Sequence, residues 1–468
     1  MSTLIMSAKL PALHDTLLTA TGTLLSGWPT AEPDPDLEGL NRAYWDHFDP
    51  ASLATLQPVL DLLFNDEHRA ITELNLTVAN GDPDWRKHPV AWATADYLND
   101  FLGYTVPRLV GLESWRDVFE LVYDSFEQEF LSDTMTLEVF GHLGNFSYQF
   151  SDFGEVNDHT RIVVLSPLGL VVNEEYLCGK RGDLFRVREA IAASGREVIA
   201  QWHEQPEFLR YQTGVSKREF SGRADVWERA YEIMRKFILA VRVLSPSHAK
   251  PYCDFAVVFH QGRLSGSLRS PVLLYPEDRI DQTGWVSFEW PNWLRKLWAQ
   301  LEGTDYTPKL LALDHHIDDS LKRGHRSAKN PHSKRLQIID ELERLSDCFP
   351  AFDSIYKTKS RNTGEQIATL TEKLMTHQWG NRSLREPGKE LSVHDEVLGM
   401  YQIRNDYEHG RTGDALKKAG TPQAFKERVR MIGYYLKQAA IIYIMNHDFD
   451  AKVPKVAGGD CSGLQNIY

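Results

Sequence analysis

Three residues near the C-terminus, Arg404, Asn405 and His409, combine side chains that can act on a phosphodiester. The arginine guanidinium does not deprotonate, and its planar fork matches the oxygens of a phosphate group. The histidine imidazole can accept or donate a proton near neutral pH. An arginine that stabilises phosphate charge and a histidine that moves protons together could cut RNA without a metal ion.

These residues fall at the end of a predicted helix. Ser392 and Asp395 form a capping-box pattern at its start, and Gly410 suits the position just after its last turn. At about 100° per residue, Arg404 falls on the centre of the apolar stripe and His409 lies roughly 140° away from it. The stripe consists of Val393, Val397, Met400 and Tyr401. A guanidinium on such a face requires a partner or a function, because an unpaired buried charge is destabilising.

The arginine-to-histidine spacing is a weak signal by itself, since the same separation occurs between Arg42 and His47. An alternative interpretation needs no catalysis. Arg404 would then form an ion pair with Asp406 or Glu408, and the histidine would be an ordinary residue favoured by the dipole at a helix C-terminus. The residues alone leave both interpretations open.

Composition indicates a soluble globular protein with two or three domains. The chain has 468 residues, of which 42% are hydrophobic and 25% charged, and no run approaches the roughly 20 apolar residues of a membrane span. We therefore expect no membrane association. The cysteines form neither a CxxC pair nor a dense framework, which predicts a reducing, cytoplasmic location. They are Cys178, Cys253, Cys348 and Cys461.

Charge is unevenly distributed along the chain. Residues 1–150 carry 7 Lys and Arg against 23 Asp and Glu, a net charge of −16, whereas the remainder carries 45 against 42, a net charge of +3. The acidic region is either a solvated helical domain or a sensing or inhibitory module. The basic loop from Lys322 to Arg335 could bind RNA phosphates, although it could also be a solvated connector. The candidate RNA-binding residues are Lys322, Arg323, Arg326 and Arg335.

Hydrophobic periodicity predicts a mainly helical α+β protein in four parts. They are an acidic helical region (1–134), a mixed strand and helix region (135–300), a helical bundle (301–450) and a loose tail (451–468). Predicted N-terminal helices cover 10–25, 37–45, 51–64, 89–102 and 114–130. In the mixed region, strands are predicted at 136–140, 146–150, 161–172, 255–259 and 267–274, and helices at 183–202 and 223–244. The bundle helices begin near Thr307, Ser333, Thr363, Ser392 and Thr421, and the second is predicted to end before Pro350.

The bundle with its late Arg-Asn-x-x-x-His motif resembles a HEPN domain. Within that superfamily it is similar to the ApeA-like group of anti-phage proteins, over roughly residues 220–450. Three passages carry the resemblance: residues 237–244 leading into 255–259, the helix pair around 310–345, and residues 403–411. The last of these is the most specific.

The resemblance implies that Arg404 and His409 are catalytic and that Asn405 is their polar companion. Family members are typically metal-independent endoribonucleases that act as homodimers, with two motifs in one cleft. We therefore expect an anti-phage effector that cleaves RNA, with tRNA as one suggested substrate class, no cofactor, and a phage-derived trigger or inhibitor. The competing expectation is a non-catalytic HEPN scaffold that binds a partner or nucleotide.

Two further groups of residues could bind a ligand, but each also has a purely structural interpretation. The run from Asp314 to Asp319 has carboxylates and histidines at the i,i+4 spacing that can chelate a metal, but such a run is more often the solvated side of a helix. A metal-dependent nuclease is therefore the third interpretation, and the expected chemistry needs no metal. The tryptophans at 285–298 could stack RNA bases, but packing between elements is favoured.

Overall fold

A computed structural model describes residues 10–27, 53–79, 89–109, 112–143, 155–164, 207–244, 256–260, 263–268, 290–303, 309–317, 333–356, 362–379 and 392–446. The described residues are mainly helical and include one small sheet, which confirms the predicted α+β class. No helix among them is long and apolar enough to cross a bilayer. The chain forms two compact units: the first comprises Met1–Gly144, Asp158–Met234 and Cys253–Pro276, and the second Asn145–Asn157, Arg235–Tyr252 and Glu277–Tyr468.

Five helices of the first unit share one apolar core. They are α1 (Pro11–Ser26), α2 (Leu53–Leu63), α3 (Arg69–Ala79), α4 (Val90–Leu109) and α5 (Trp115–Leu131). The backbone N–H of Leu10 and the hydroxyl of Tyr123 both donate to Oε1 of Glu127, at 2.8 and 3.1 Å, so a buried carboxylate joins the start of α1 to α5. The sequence does not predict α3, because its buried face includes Thr72 and Asn75 and lacks an apolar stripe.

The sheet of the first unit is antiparallel, with the order β3-β4-β1-β5-β6. Alternating residues Met135, Leu137 and Val139 of the central strand are buried, whereas Glu138 on the opposite face accepts a hydrogen bond from Nε of Arg210 at 2.6 Å. The strands are β1 (Thr134–Leu143), β2 (Glu155–Asn157, in the second unit), β3 (Thr160–Val164), β4 (Glu207–Ser216), β5 (Ala256–His260) and β6 (Arg263–Leu268).

Several strand predictions are confirmed, and one needs correction. Strands β1, β3 and β5 occur where the sequence predicts them, but β4 was not predicted. The last strand begins at Arg263, four residues before the predicted start at Ser267, because it pairs as a hairpin with β5. The predictions at 37–45, 146–150 and 183–202 lie outside the described residues, as do 165–172 and 269–274.

Packed helices make up the described part of the second unit, apart from β2. They are the second half of α6 (Arg223–Leu244), α7 (Trp290–Glu302), α8 (residues 309–317), α9 (Lys334–Tyr356), α10 (Thr363–Trp379), α11 (Val393–Glu408), α12 (Thr412–Ala419) and α13 (Pro422–Asn446). Helix α9 packs on α13, and α10 packs on α11. Trp298 is fully buried, with its ring 5.3 Å from that of Phe237, so it packs in the core of this unit.

The prediction that the second bundle helix ends before Pro350 is wrong. Helix α9 continues through Pro350 to Tyr356. Proline removes one backbone hydrogen bond and crowds the preceding turn. Beyond it, however, Phe352, Ile355 and Tyr356 are each at most 1% exposed. Burial of these large side chains stabilises the last turns despite the proline.

Candidate active site at the end of helix α11

Helix α11 begins where the capping pattern predicts. The Ser392 hydroxyl accepts a hydrogen bond from the backbone N–H of Asp395 at 3.0 Å, so one of the free N–H groups of the first turn is satisfied. The helix buries one face against its neighbours. That face consists of Glu396, Val397, Met400, Ile403 and Asp406.

The C-terminal end of α11 also follows the sequence signal. Gly410 adopts a φ of +76°, a conformation that a residue without Cβ reaches at no steric cost. The backbone N–H groups of Gly410 and Arg411 donate to the carbonyls of Tyr407 (3.0 Å) and Asp406 (2.8 Å). These two bonds form a Schellman motif. The motif places His409 at the C-cap, directly after Glu408, the last residue of the helix.

The guanidinium of Arg404 is held by residues of its own helix. Nη2 lies 2.6 Å from Oε2 of Glu408, and Nη1 donates to Oδ1 of Asn405 at 3.1 Å. The guanidinium carbon is 5.8 Å from the centre of the Tyr401 ring. The side chain is 19% exposed, and its Nε is buried without a hydrogen-bond partner. The partner that the sequence requires for this charge is therefore Glu408.

Asp406 has a different role from Glu408. Its Oδ1 accepts from Nε and Nη2 of Arg411 at 2.9 and 2.8 Å, and its Oδ2 accepts from Nζ of Lys418. The hydrogen bonds from Lys418 and Arg411 hold the pKa of the Asp406 carboxyl below its usual value. This carboxylate joins α12 to α11, and its charge is already matched by two cations. Arg404 pairs instead with Glu408, which is four residues further along and therefore on the same side of α11, whereas Asp406 is only two residues away and faces another direction.

His409 is exposed at the end of the helix. Asn405 precedes it by four residues and therefore lies on the same side of α11. The Asn405 amide is thus bonded to Arg404 and lies on the face that carries His409. The three candidate residues share one helix end. The contacts of the Arg404 guanidinium are to Glu408, Asn405 and Tyr401, and none is to His409.

Tyr401 is fixed by two neighbouring helices. Its ring centre lies 5.1 Å from that of Phe349 on α9, at an interplanar angle of 83°. On α10, a Cβ added to Gly364 would lie 2.2, 2.6 and 2.8 Å from three ring atoms of Tyr401. Only glycine leaves room for the ring at this position. No local sequence pattern predicts this contact, because Gly364 and Tyr401 belong to different helices.

No protein-family model matches the chain, and no curated protein or solved structure is significantly similar to it. What the site can do is therefore argued from its own residues. A half-buried guanidinium can stabilise charge that develops on a phosphoryl group, and an exposed imidazole at the same helix end can move a proton.

The candidate RNA-binding loop is only partly described. Lys322, Arg323 and Arg326 lie outside the described residues, and Arg335 is exposed in the first turn of α9. Arg335 is thus free to meet solvent, and the rest of the predicted loop surface stays a prediction.

Asp314, the first residue of the metal candidate, is a counterion. It is 3% exposed, accepts a hydrogen bond from Nε of Arg235 at 2.8 Å, and lies 3.9 Å from Nη1 of Arg242. Asp318 and Asp319 are not among the described residues. Within the described ranges, no group of three or more histidines, cysteines or carboxylates is placed to hold a metal.

Proposed function

We propose that this protein is a metal-independent endoribonuclease of the HEPN type, with Arg404 and His409 as catalytic residues and Asn405 as the residue that orients the arginine. The observation that carries the proposal is the placement of the Arg404 guanidinium, 19% exposed and bonded to Asn405, at the helix end that carries the exposed His409. The resemblance of the sequence to HEPN ribonucleases supports the same assignment.

In the proposed reaction, His409 takes the proton from a ribose 2′-hydroxyl. The 2′-oxygen attacks phosphorus and the bond to the 5′-oxygen breaks, which leaves a 2′,3′-cyclic phosphate and a 5′-hydroxyl. Arg404 stabilises the charge that builds on the phosphoryl oxygens. The departing 5′-oxygen needs a proton, and the His409 of a second copy would supply it in a homodimer. Such a dimer would be isologous and would include α11 in its interface.

The biological role that fits this activity is anti-phage defence through cleavage of RNA, with tRNA as one candidate substrate. This role is supported by the resemblance alone, as is the expectation of a phage-derived trigger or inhibitor. The loop residues Lys322, Arg323, Arg326 and Arg335 are proposed to hold RNA phosphates. Replacing all four by Gln should then flatten the dependence of log affinity on log salt by up to about 3 units, and an unchanged slope would exclude the contact.

Cleavage by purified variants tests the proposed function. Arg404→Ala and His409→Ala should each lower the rate by roughly 10²–10⁴-fold, the usual contribution of an acid–base group or a charge-stabilising donor. Arg430→Ala is a matched control, because Arg430 is a half-exposed arginine that pairs with Glu427 on α13. EDTA should leave the activity unchanged, and light scattering should show a dimer. Full activity in both site variants would refute the proposal.

A second function is favoured by the ion pair between Arg404 and Glu408, since a guanidinium occupied by its own helix can be purely structural. The protein would then be a non-catalytic scaffold that binds a partner or nucleotide. Retained binding of RNA or nucleotide, without cleavage of any RNA by the wild-type dimer, would favour this alternative.

A further inference from the structure

We propose that Glu408 is a positioning residue that acts through Arg404. Its carboxylate neutralises the guanidinium in the free protein and competes with an RNA phosphate for it, so Glu408 lowers the affinity of the site for RNA. This inference rests on the proposed function and identifies a determinant of substrate binding within the same site.

The donors of Arg404 show why the two anions compete. A guanidinium binds phosphate best through two parallel N–H groups, and each such pair includes an N–H of Nη1 or Nη2. In the free protein Glu408 lies 2.6 Å from Nη2, Asn405 accepts from Nη1 at 3.1 Å, and Nε is buried. Nη1 and Nη2 each keep a second N–H. The Glu408 carboxylate nevertheless neutralises the guanidinium and repels a second anion at the same group, so a phosphate binds Arg404 most favourably when Glu408 moves away.

Glu408 is the partner best able to leave. Its side chain is 34% exposed and belongs to the last residue of α11. A carboxylate at a helix C-terminus is repelled by the helix dipole, so Arg404 is the feature that favours the observed position. The leaving carboxylate and the incoming phosphate have the same sign of charge and accept from the same donor. Exchange of one for the other preserves the ion pair of Arg404.

Replacing Glu408 by Gln isolates the effect of charge. Gln has the same length and can still accept a hydrogen bond from Arg404, but it no longer neutralises the guanidinium. One more phosphate would be neutralised without a competing anion, so the slope of log affinity against log salt should become steeper by about 0.7. Affinity at physiological salt should rise by roughly two- to five-fold, the range of an exposed ion pair. The tighter binding should also appear as a lower KM.

The probe is a single-stranded RNA that carries 2′-O-methyl groups throughout, which the proposed reaction cannot cleave. Its binding is measured over a salt series for the wild type, Glu408→Gln and Glu427→Gln. Glu427 is the matched control, because it is an exposed glutamate that pairs with Arg430 on α13 at 3.2 Å and its replacement changes the net charge equally. A steeper slope in Glu408→Gln alone supports the proposal, and equal slopes in the two variants overturn it.

A double variant tests whether the effect passes through the arginine. With Arg404→Gln in the background, Glu408→Gln should no longer change affinity or slope, and a persisting change would overturn the inference. If Glu408→Gln lowers the unfolding midpoint, Glu408→Ala, which also removes the charge, must reproduce the steeper slope.

Unchanged binding in Glu408→Gln with cleavage lost in Arg404→Ala would refute only this inference. Cleavage retained in Arg404→Ala, or no RNA binding by the wild type, would refute the proposed function as well.

Discussion

Gly364 is the position where a single methyl group should disturb both the fold and the candidate site. It is the second residue of α10, and a Cβ there would lie 2.2–2.8 Å from three ring atoms of Tyr401. Separations below 3.0 Å force one of the groups to move. The Tyr401 ring is also in contact with Phe349, with ring centres 5.1 Å apart, so it cannot move without disturbing a second helix.

Two opposing terms set the expected loss of stability for Gly364→Ala. Overpacking a well-packed contact destabilises a protein by roughly 1–3 kcal/mol. Alanine in place of a helical glycine stabilises by about 0.5–1 kcal/mol. The net change in the free energy of unfolding should therefore be a loss of about 0–2.5 kcal/mol. Because Tyr401 lies beside the Arg404 guanidinium, its movement should also slow RNA cleavage by roughly ten- to a hundred-fold.

Urea unfolding of Gly364→Ala beside Gly413→Ala measures this effect. Gly413 is likewise the second residue of a helix, α12, but a Cβ there would meet nothing within 4 Å. The control should be unchanged or slightly more stable, by up to about 1 kcal/mol. Equal or higher stability of Gly364→Ala relative to Gly413→Ala would refute the reasoning. A further variant, Gly364→Ala with Tyr401→Leu, should regain part of the lost stability but not the activity.

Two predictions concern pH. Burial lowers the pKa of Lys437 from 10.5 to about 7. Between these two pH values the unfolded chain binds more protons than the folded protein does. The free energy of unfolding therefore rises with pH, by at most about 1.4 kcal/mol per pH unit. Lys437→Met should abolish this rise in urea unfolding at pH 7–10. The pKa of Asp406 is lowered by Lys418 and Arg411, so its stabilisation is present above about pH 4 and is lost as pH falls through the folded pKa. Asp406→Asn should remove this acid sensitivity. It should also speed amide hydrogen exchange in α12 at neutral pH. Unchanged exchange would show that Asp406 does not stabilise the position of that helix.

Local signals in the sequence predicted the ends of α11 correctly. Ser392 and Gly410 act within one turn of their own positions, so no tertiary information was needed. The continuation of α9 through Pro350 could not be predicted, because it depends on the tertiary packing that buries Phe352, Ile355 and Tyr356, and this burial outweighs the local effect of proline. Strand β4 was missed for a similar reason. Its buried Arg210 interrupts the apolar pattern and is neutralised by Glu138, 72 residues away.

In the candidate site, too, contacts within one helix could be predicted from the sequence, whereas contacts between helices could not. The sequence left Asp406 and Glu408 open as partners of Arg404, and the i,i+4 spacing of Glu408 agrees with the observed ion pair because residues four apart share one side of a helix. The partner of Asp406 could not be predicted, because Lys418 belongs to α12, a helix that the sequence did not predict. The support of Tyr401 by Gly364 is a contact between helices and has no local signature.

The measurement that bears most directly on the proposed function is sequencing of RNA ends in cells that express either the wild-type protein or His409→Ala at equal levels. The proposed reaction predicts new 2′,3′-cyclic phosphate ends with the wild type. These ends should be absent with His409→Ala, whose unfolding midpoint should match that of the wild type because the side chain is exposed. The same ends at the same abundance in both samples would contradict the assignment of His409 as a catalytic residue.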